Sequence, residues 1–281
     1  VKNKIFLFII VFSITGCITK INVDLIIHNA HIFPLTEEGK EFEAMAINNG
    51  IIIDIGKENQ ILNKYASNQK IDFKSAYIYP GFIDAHCHFI NYGLSLDFVD
   101  LKGSKSLKEV IQRCIEHSST NNSFWIQGRG WDQNIWTNNS FPNKEALDVS
   151  FPNTPVILTR IDGHAILVNQ KALDLCNIDL YSEITGGHIE IINGKLTGIL
   201  IDNAIDLIQK KIPFPDEETK KRAMLKAQRK CFEVGLTTVD EAGINKNDVL
   251  LINHLHNSGE LKIKIYAMLS DLKENYAYFI D

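Results

Sequence analysis

The chain has no surplus of positive charge: 29 Lys and Arg against 34 Asp and Glu leave a net charge of −5, with a pI near 6.0. A nucleic-acid surface, which requires clustered Lys and Arg, is therefore not expected. Cysteines are also few, five in 281 residues. They stand at Cys17, Cys87, Cys114, Cys176 and Cys231, at long irregular spacings and with no Cys-x-x-Cys pair. That pattern suggests neither a zinc knuckle nor a disulfide framework. The apolar run Ile5–Ile14 is too short to span a bilayer. What remains, 45% hydrophobic and 22% charged, describes an ordinary globular protein rather than a disordered one. Its length accommodates one large domain, or one plus a small satellite.

The N-terminus has a pattern of its own. Lys2 and Lys4 form a basic start, Ile5–Ile14 an apolar run of signal-peptide length, and Ile14-Thr15-Gly16-Cys17 resembles a bacterial lipobox. A buried N-terminal strand is the plainer alternative, but basic start, apolar run, small residues and cysteine come in the order of a lipoprotein signal. The expectation is a signal over residues 1–17, lipidation at Cys17, and an exported protein held on the periplasmic or cell-surface side by its lipid anchor.

Beyond it, Val23–Phe33 is rich in strand formers, Ala44–Ile55 carries Asn49-Gly50 between apolar runs as a hairpin turn, and Lys70–Ile78 reads as a third strand. These predict a small β-domain over 22–80. Then Ser106-Leu107-Lys108-Glu109 reads as a capping box opening a helix. Trp125–Asp132 and Pro155–His164 read as strands ending in polar loops. Asp216 caps a helix with Met224, Ala227, Cys231 and Val234 on one stripe, stopped by Gly235. Leu236–Asp240 and Lys262–Leu269 read as further strands. Strand and helix in alternation predict a parallel sheet, with polar groups collecting after each strand as a barrel's active face requires.

The stretch that organises the rest is Tyr79-Pro80-Gly81-Phe82-Ile83-Asp84-Ala85-His86-Cys87-His88. Alternate residues of a strand share a face, so His86 and His88 point the same way while Cys87 turns aside to pack. Two imidazoles on one side are what a divalent metal needs as its first ligand pair. A chance His-x-His in a loop is the bland alternative. The Pro-Gly entry, the apolar strand and Asp84 weigh against it.

This run resembles the first-strand signature of the amidohydrolase superfamily, and later stretches narrow the resemblance to amidohydrolase family 3, the YtcJ-like group. They are Gly130-Trp131-Asp132 with Trp136, Asp162-Gly163-His164-Ala165 followed by Val168-Asn169, Gly186-Gly187, Gly194–Leu200 and Gly235-Leu236-Thr237-Thr238-Val239. The resemblance implies an α/β fold, a (β/α)8 TIM-type barrel over 81–281 that is incomplete here, preceded by a β-sandwich part. It implies hydrolysis of carbon–nitrogen bonds other than peptide bonds, in amides or N-substituted formamides, by metal-activated water. His86 and His88 would be metal ligands, and Trp131, Asp162 and His164 would line the substrate side. For Asp162 and His164 a loop-stabilising hydrogen bond is an equal alternative.

The ion expected is divalent, zinc in first place, one or two per site, although two imidazoles also suit iron, manganese or nickel. The bridging ligand, two further histidines and the general base of such a site do not stand out. His254 and His256 fall about 200° apart on a helix, and Asp202, an acid that could reach the metal region, reads rather as opening a helix at Ala204–Ile208. A complete barrel takes ~250 residues against about 200 here. The expectation is thus the N-terminal portion of a longer enzyme, inactive alone, with a small amide-type substrate and a separate C-terminal half as partners. A non-catalytic lipoprotein remnant is the alternative, and a cyclic-amide hydrolase branch a third reading, disfavoured by the Asp-Gly-His-Ala run.

Overall fold

The computed structural model describes residues 19–121 and 123–280, in two compact units that meet in sequence at Phe82 and Ile83. Cys17 and the expected signal lie outside the described residues. In the first unit, β2 (Leu25–Ile32), β3 (Ala44–Asn48), β4 (Ile51–Gly56) and β6 (Lys70–Ile78) form a sheet in the order β4-β3-β2-β6. The short strands β1 (Ile21–Asn22) and β5 (Tyr65–Ala66) pair separately. Asn49 and Gly50 turn β3 into β4 with φ of 50° and 74°, the left-handed pair that a two-residue hairpin demands. Helix α1 (Glu58–Lys64) lays Ile61 on the face formed by Ile26, Ala44 and Ala46.

The second unit contains two sheets rather than the single parallel one expected. The larger is ordered β12-β13-β11-β10-β9-β8, built from β8 (Val99–Asp100), β9 (Ile126–Trp131), β10 (Val156–Arg160), β11 (Ala165–Val168), β12 (Gly187–Ile192) and β13 (Lys195–Asp202). Strands β8, β9 and β10 are parallel, whereas β11, β13 and β12 return antiparallel. Alternate residues feed two cores. Val156, Leu158, Leu167 and Ile199 pack with Val110 and Cys114 of α3 (Leu107–Thr120) and Leu147 of α4 (Glu145–Ser150). Ile157, Ile166, Val168 and Leu200 pack with Ala172 and Leu173 of α5 (Gln170–Leu175) and Ile205 and Ile208 of α6 (Ile205–Gln209). A sheet covered on both faces needs near-continuous apolar runs, which is what Val156–Leu158 and Ala165–Val168 supply.

The smaller sheet, ordered β15-β14-β7, joins β7 (Phe82–Cys87), β14 (Leu236–Ile244) and β15 (Lys264–Leu269), with β14 and β15 parallel. Helices α2 (Phe89–Ser95), α7 (Glu217–Glu233) and α8 (Lys246–Asn257) cover one face through Phe89, Ile90, Met224, Ala227, Cys231, Ile252 and Leu255. Gly93 lets α2 lie on α7, since a Cβ there would collide with the Ala223 carbonyl. A last helix, α9, spans Lys273–Phe279. Among the described residues no helix is long and apolar enough to cross a membrane.

Candidate metal centre

Strand β7 ends at Cys87, and His88 stands just beyond it at the start of α2, with φ −121° and ψ 74°. His86 and His88 are both exposed, their ring centroids 5.8 Å apart and their planes at 80°. The Asp84 carboxylate accepts a hydrogen bond from the His86 backbone N–H at 3.2 Å. The His88 Nδ1 lies 3.1 Å from the Ala242 carbonyl oxygen. A carbonyl can only accept, so Nδ1 carries the proton in this contact, and in the neutral ring Nε2 is the nitrogen that keeps its lone pair. Cys87 turns the other way, against the helix-covered core. Burial, aided by the charges of Glu241 and Asp84, pushes its thiol up to about 12, so it supplies no thiolate at neutral pH.

One further side chain belongs to this constellation. Glu241 on β14 is 4% exposed, and its carboxylate accepts from the backbone N–H of Phe89, the residue after His88. Burial raises its carboxyl above the ordinary range, against the pull of the Phe89 and Ile90 amides and His88. The sequence reading ended this strand at Asp240 and missed it. The signal was present in the pleat, because Glu241 shares the face of the buried Val239.

The other expected site residues lie on the larger sheet. Trp131 is 1% exposed and its indole N–H donates to the Leu158 carbonyl at 2.8 Å, with Trp136 and Phe141 against its ring. It is a core position with its polar atom satisfied. Asp162 is exposed and receives a two-pronged hydrogen bond from Arg160, at 2.9 and 2.5 Å. It also accepts from the His164 backbone N–H at 3.0 Å. His164 is exposed, its Nδ1 3.0 Å from an Asp202 oxygen. Asp202 does not open the following helix as expected: it closes β13 with φ of 50°, and no side chain caps α6. Its carboxylate is engaged across the strands by His164 instead. Asn169, buried at the end of β11, uses every hydrogen-bonding valence of its amide. It accepts from Val156 and Ala172 and donates to Phe151 and Thr154. Elsewhere His256 bonds the Ile263 carbonyl, while His28 and His31 pair with Glu58 and Glu41.

The amidohydrolase-family profile matches residues 69–278. The chain belongs to the amidohydrolase family. It is 33% identical to YtcJ of Bacillus subtilis over 215 residues, 75% of this chain and 41% of that one. It is 30% identical to the N-substituted formamide deformylase of Arthrobacter pascens over 193 residues, 66% of this chain and 35% of that one. This amidohydrolase-family chain thus spans less than half the length of these curated relatives. Among solved structures, an uncharacterized metal-dependent hydrolase from Pyrococcus furiosus superposes with a TM-score of 0.67 at 26% identity, covering 87% of this chain and 50% of the other. The expected fold class holds: an α/β amidohydrolase fold with an incomplete barrel.

Whether the residues of this family member suit a metal is decided by their geometry. With metal–nitrogen bonds of ~2.0–2.1 Å, two imidazoles sharing a tetrahedral ion bring their centroids to about 5 Å. The 5.8 Å separation is within an ångström of that figure. The donor set also fits, since a ligating imidazole ordinarily donates its other N–H to a carbonyl or carboxylate, as His88 does. Among the described residues, no group of three or more His, Cys, Asp or Glu converges on one point. The fit is that of a ligand pair.

Proposed function

We propose that this chain supplies the first two ligands, His86 and His88, of a divalent-metal centre in a hydrolase of carbon–nitrogen bonds other than peptide bonds, with amides and N-substituted formamides as the substrate class. The observation that carries the reading is the pair of neighbouring exposed imidazoles at the end of β7, 5.8 Å apart, one of them held through Nδ1 by the Ala242 carbonyl. The similarity to a formamide deformylase supports the substrate class. Zinc is the ion proposed. A bound ion of this kind lowers the pKa of water toward ~7 and polarises a carbonyl. The chain's own residues orient: Asp84 holds the backbone before His86, the Ala242 carbonyl sets the His88 tautomer, and Asp162 and His164 offer polar groups at the substrate side. We further propose export and lipid anchoring through Cys17, on the order of features in residues 1–17.

The test is metal analysis of the purified chain beside a His86→Ala/His88→Ala double variant, followed by product detection on a panel of formamides and simple amides. Metal bound by the parent and lost from the variant is the expected result. Equal metal content in the two overturns the assignment of β7 and returns the chain to the reading of a non-catalytic lipoprotein.

A further inference from the structure

Strand β14 holds His88 at two points, and neither point is a contact with the ring's free edge. The Ala242 carbonyl takes the Nδ1 proton. One residue earlier, the Glu241 carboxylate takes the backbone N–H of Phe89, the residue that both follows His88 and begins α2. Each constrains a different degree of freedom. The carbonyl fixes the ring about its own bond and selects the tautomer. The carboxylate fixes the chain on which the ring is carried. Together with Asp84 on the His86 N–H, the histidine pair has a carboxylate on a backbone amide at either end.

A carboxylate that is 4% exposed faces a substantial desolvation cost, and such groups persist where their oxygens are occupied. Glu241 sits on the core side of β14, among the groups that cover the sheet, with its oxygens turned to the amides opening α2. An apolar side chain would satisfy packing there at lower cost. An acceptor in that place serves the amide of Phe89 and the backbone it anchors.

We propose that Glu241 is a positioning residue for His88, holding the backbone at the start of α2 so that the Ala242 carbonyl can keep the imidazole in the tautomer that presents Nε2. The claim rests on the reading of His88 as a metal ligand for its consequence, but not for its geometry, and the two are separable by experiment. Glu241→Gln retains an oxygen that accepts from Phe89. Glu241→Met keeps the volume and removes the acceptor.

Two readouts apply. Long-range ¹H–¹⁵N correlation on the metal-free chain reports whether His88 Nδ1 is protonated. Titration with Zn²⁺ against a chelating indicator reports affinity. In the parent and in Glu241→Gln, His88 is expected in the Nδ1–H form, with zinc affinities within about threefold of each other. In Glu241→Met that form is lost and zinc binding weakens roughly 10- to 100-fold, the scale on which groups supporting a ligand act. Unchanged tautomer and affinity in Glu241→Met overturn the proposal. So does a Glu241→Gln variant that keeps the tautomer but loses zinc as completely as Glu241→Met, since Glu241 then acts through its charge or as a ligand itself. If Glu241→Met fails to fold, Glu241→Gln carries the test: loss of the Nδ1–H form in that folded variant overturns the proposal. A parent that binds no zinc while the tautomer follows the expected pattern removes the metal reading and leaves the positioning role standing.

Discussion

The two sheets of the second unit differ in how their strands are covered. All four residues of β11 are buried, and three of five in β10. None of the six residues of β7 is buried; Phe82 and Ile83 are 62% and 66% exposed. Yet it is at the end of β7 that the histidine pair stands, His86 on the strand and His88 just past it. The larger sheet spends its side chains on two apolar cores, each buried Leu, Ile or Val contributing ~1.5–3 kcal/mol of transfer free energy. The smaller sheet has one face covered by helices. The larger sheet is covered on both faces and the smaller on one, so substitutions in β10 and β7 should separate along the same line.

The largest separation comes from a matched pair of truncations. Leu158 is fully buried between β9, β11 and α3, and Leu158→Ala is expected to cost about 2–5 kcal/mol, transfer plus residual cavity. Ile83→Ala on β7 is expected to cost less than ~1 kcal/mol, in line with an exposed position. Urea denaturation of both variants checks this, and comparable losses would mean that β7 is covered in solution. A smaller effect is expected from Trp131→Phe. The smaller ring leaves part of a fully buried site empty and the Leu158 carbonyl loses its indole donor, together costing about 1–3 kcal/mol. A destabilisation well under that range would show that water reaches the carbonyl and that Trp131 is less enclosed than its burial implies.

Much of this contrast was legible in the chain. The turn of Cys87 into the helix-covered core followed from the strand period, and Asn49-Gly50 announced its hairpin. The Asp216 cap is present, accepting from Thr219 at 2.8 Å. The Ser106 cap accepts from Glu109 at 3.2 Å, but the return arm of Glu109 reaches the N–H of Lys105 rather than that of Ser106. The same hairpin signal stood unread at Asn193-Gly194, with φ of 51° and 71°. That turn folds β12 back on β13 as one antiparallel pair; with the antiparallel β10–β11 and β11–β13 pairs it departs from the wholly parallel sheet that strand–helix alternation had argued for. Glu241 and the His164–Asp202 contact were harder to read. Both join residues far apart in the chain, 152 and 38 positions respectively, and local periodicity carries no information about which distant amide or imidazole a carboxylate will meet.

The smallest effect expected lies at the exposed rim of the well-buried sheet. The Arg160 guanidinium beside Asp162 holds its carboxyl below the ordinary 3.8, the His164 amide adding to the pull and partial burial opposing it. A carboxyl depressed in the folded state contributes stability that is present above its unfolded pKa and lost as pH falls through the folded one. Asp162→Asn removes that contribution. The variant is expected to be less stable than the parent near neutrality by under ~1 kcal/mol, because the pair is solvent-screened. The gap is expected to close on acidification from about pH 5 to about pH 2. Urea midpoints across that range measure it. A gap that stays constant with pH would place the value of Asp162 in its hydrogen bond to the His164 backbone rather than in its charge. The rim would then hold its loop by geometry, as the buried Asn169 amide does within the same sheet.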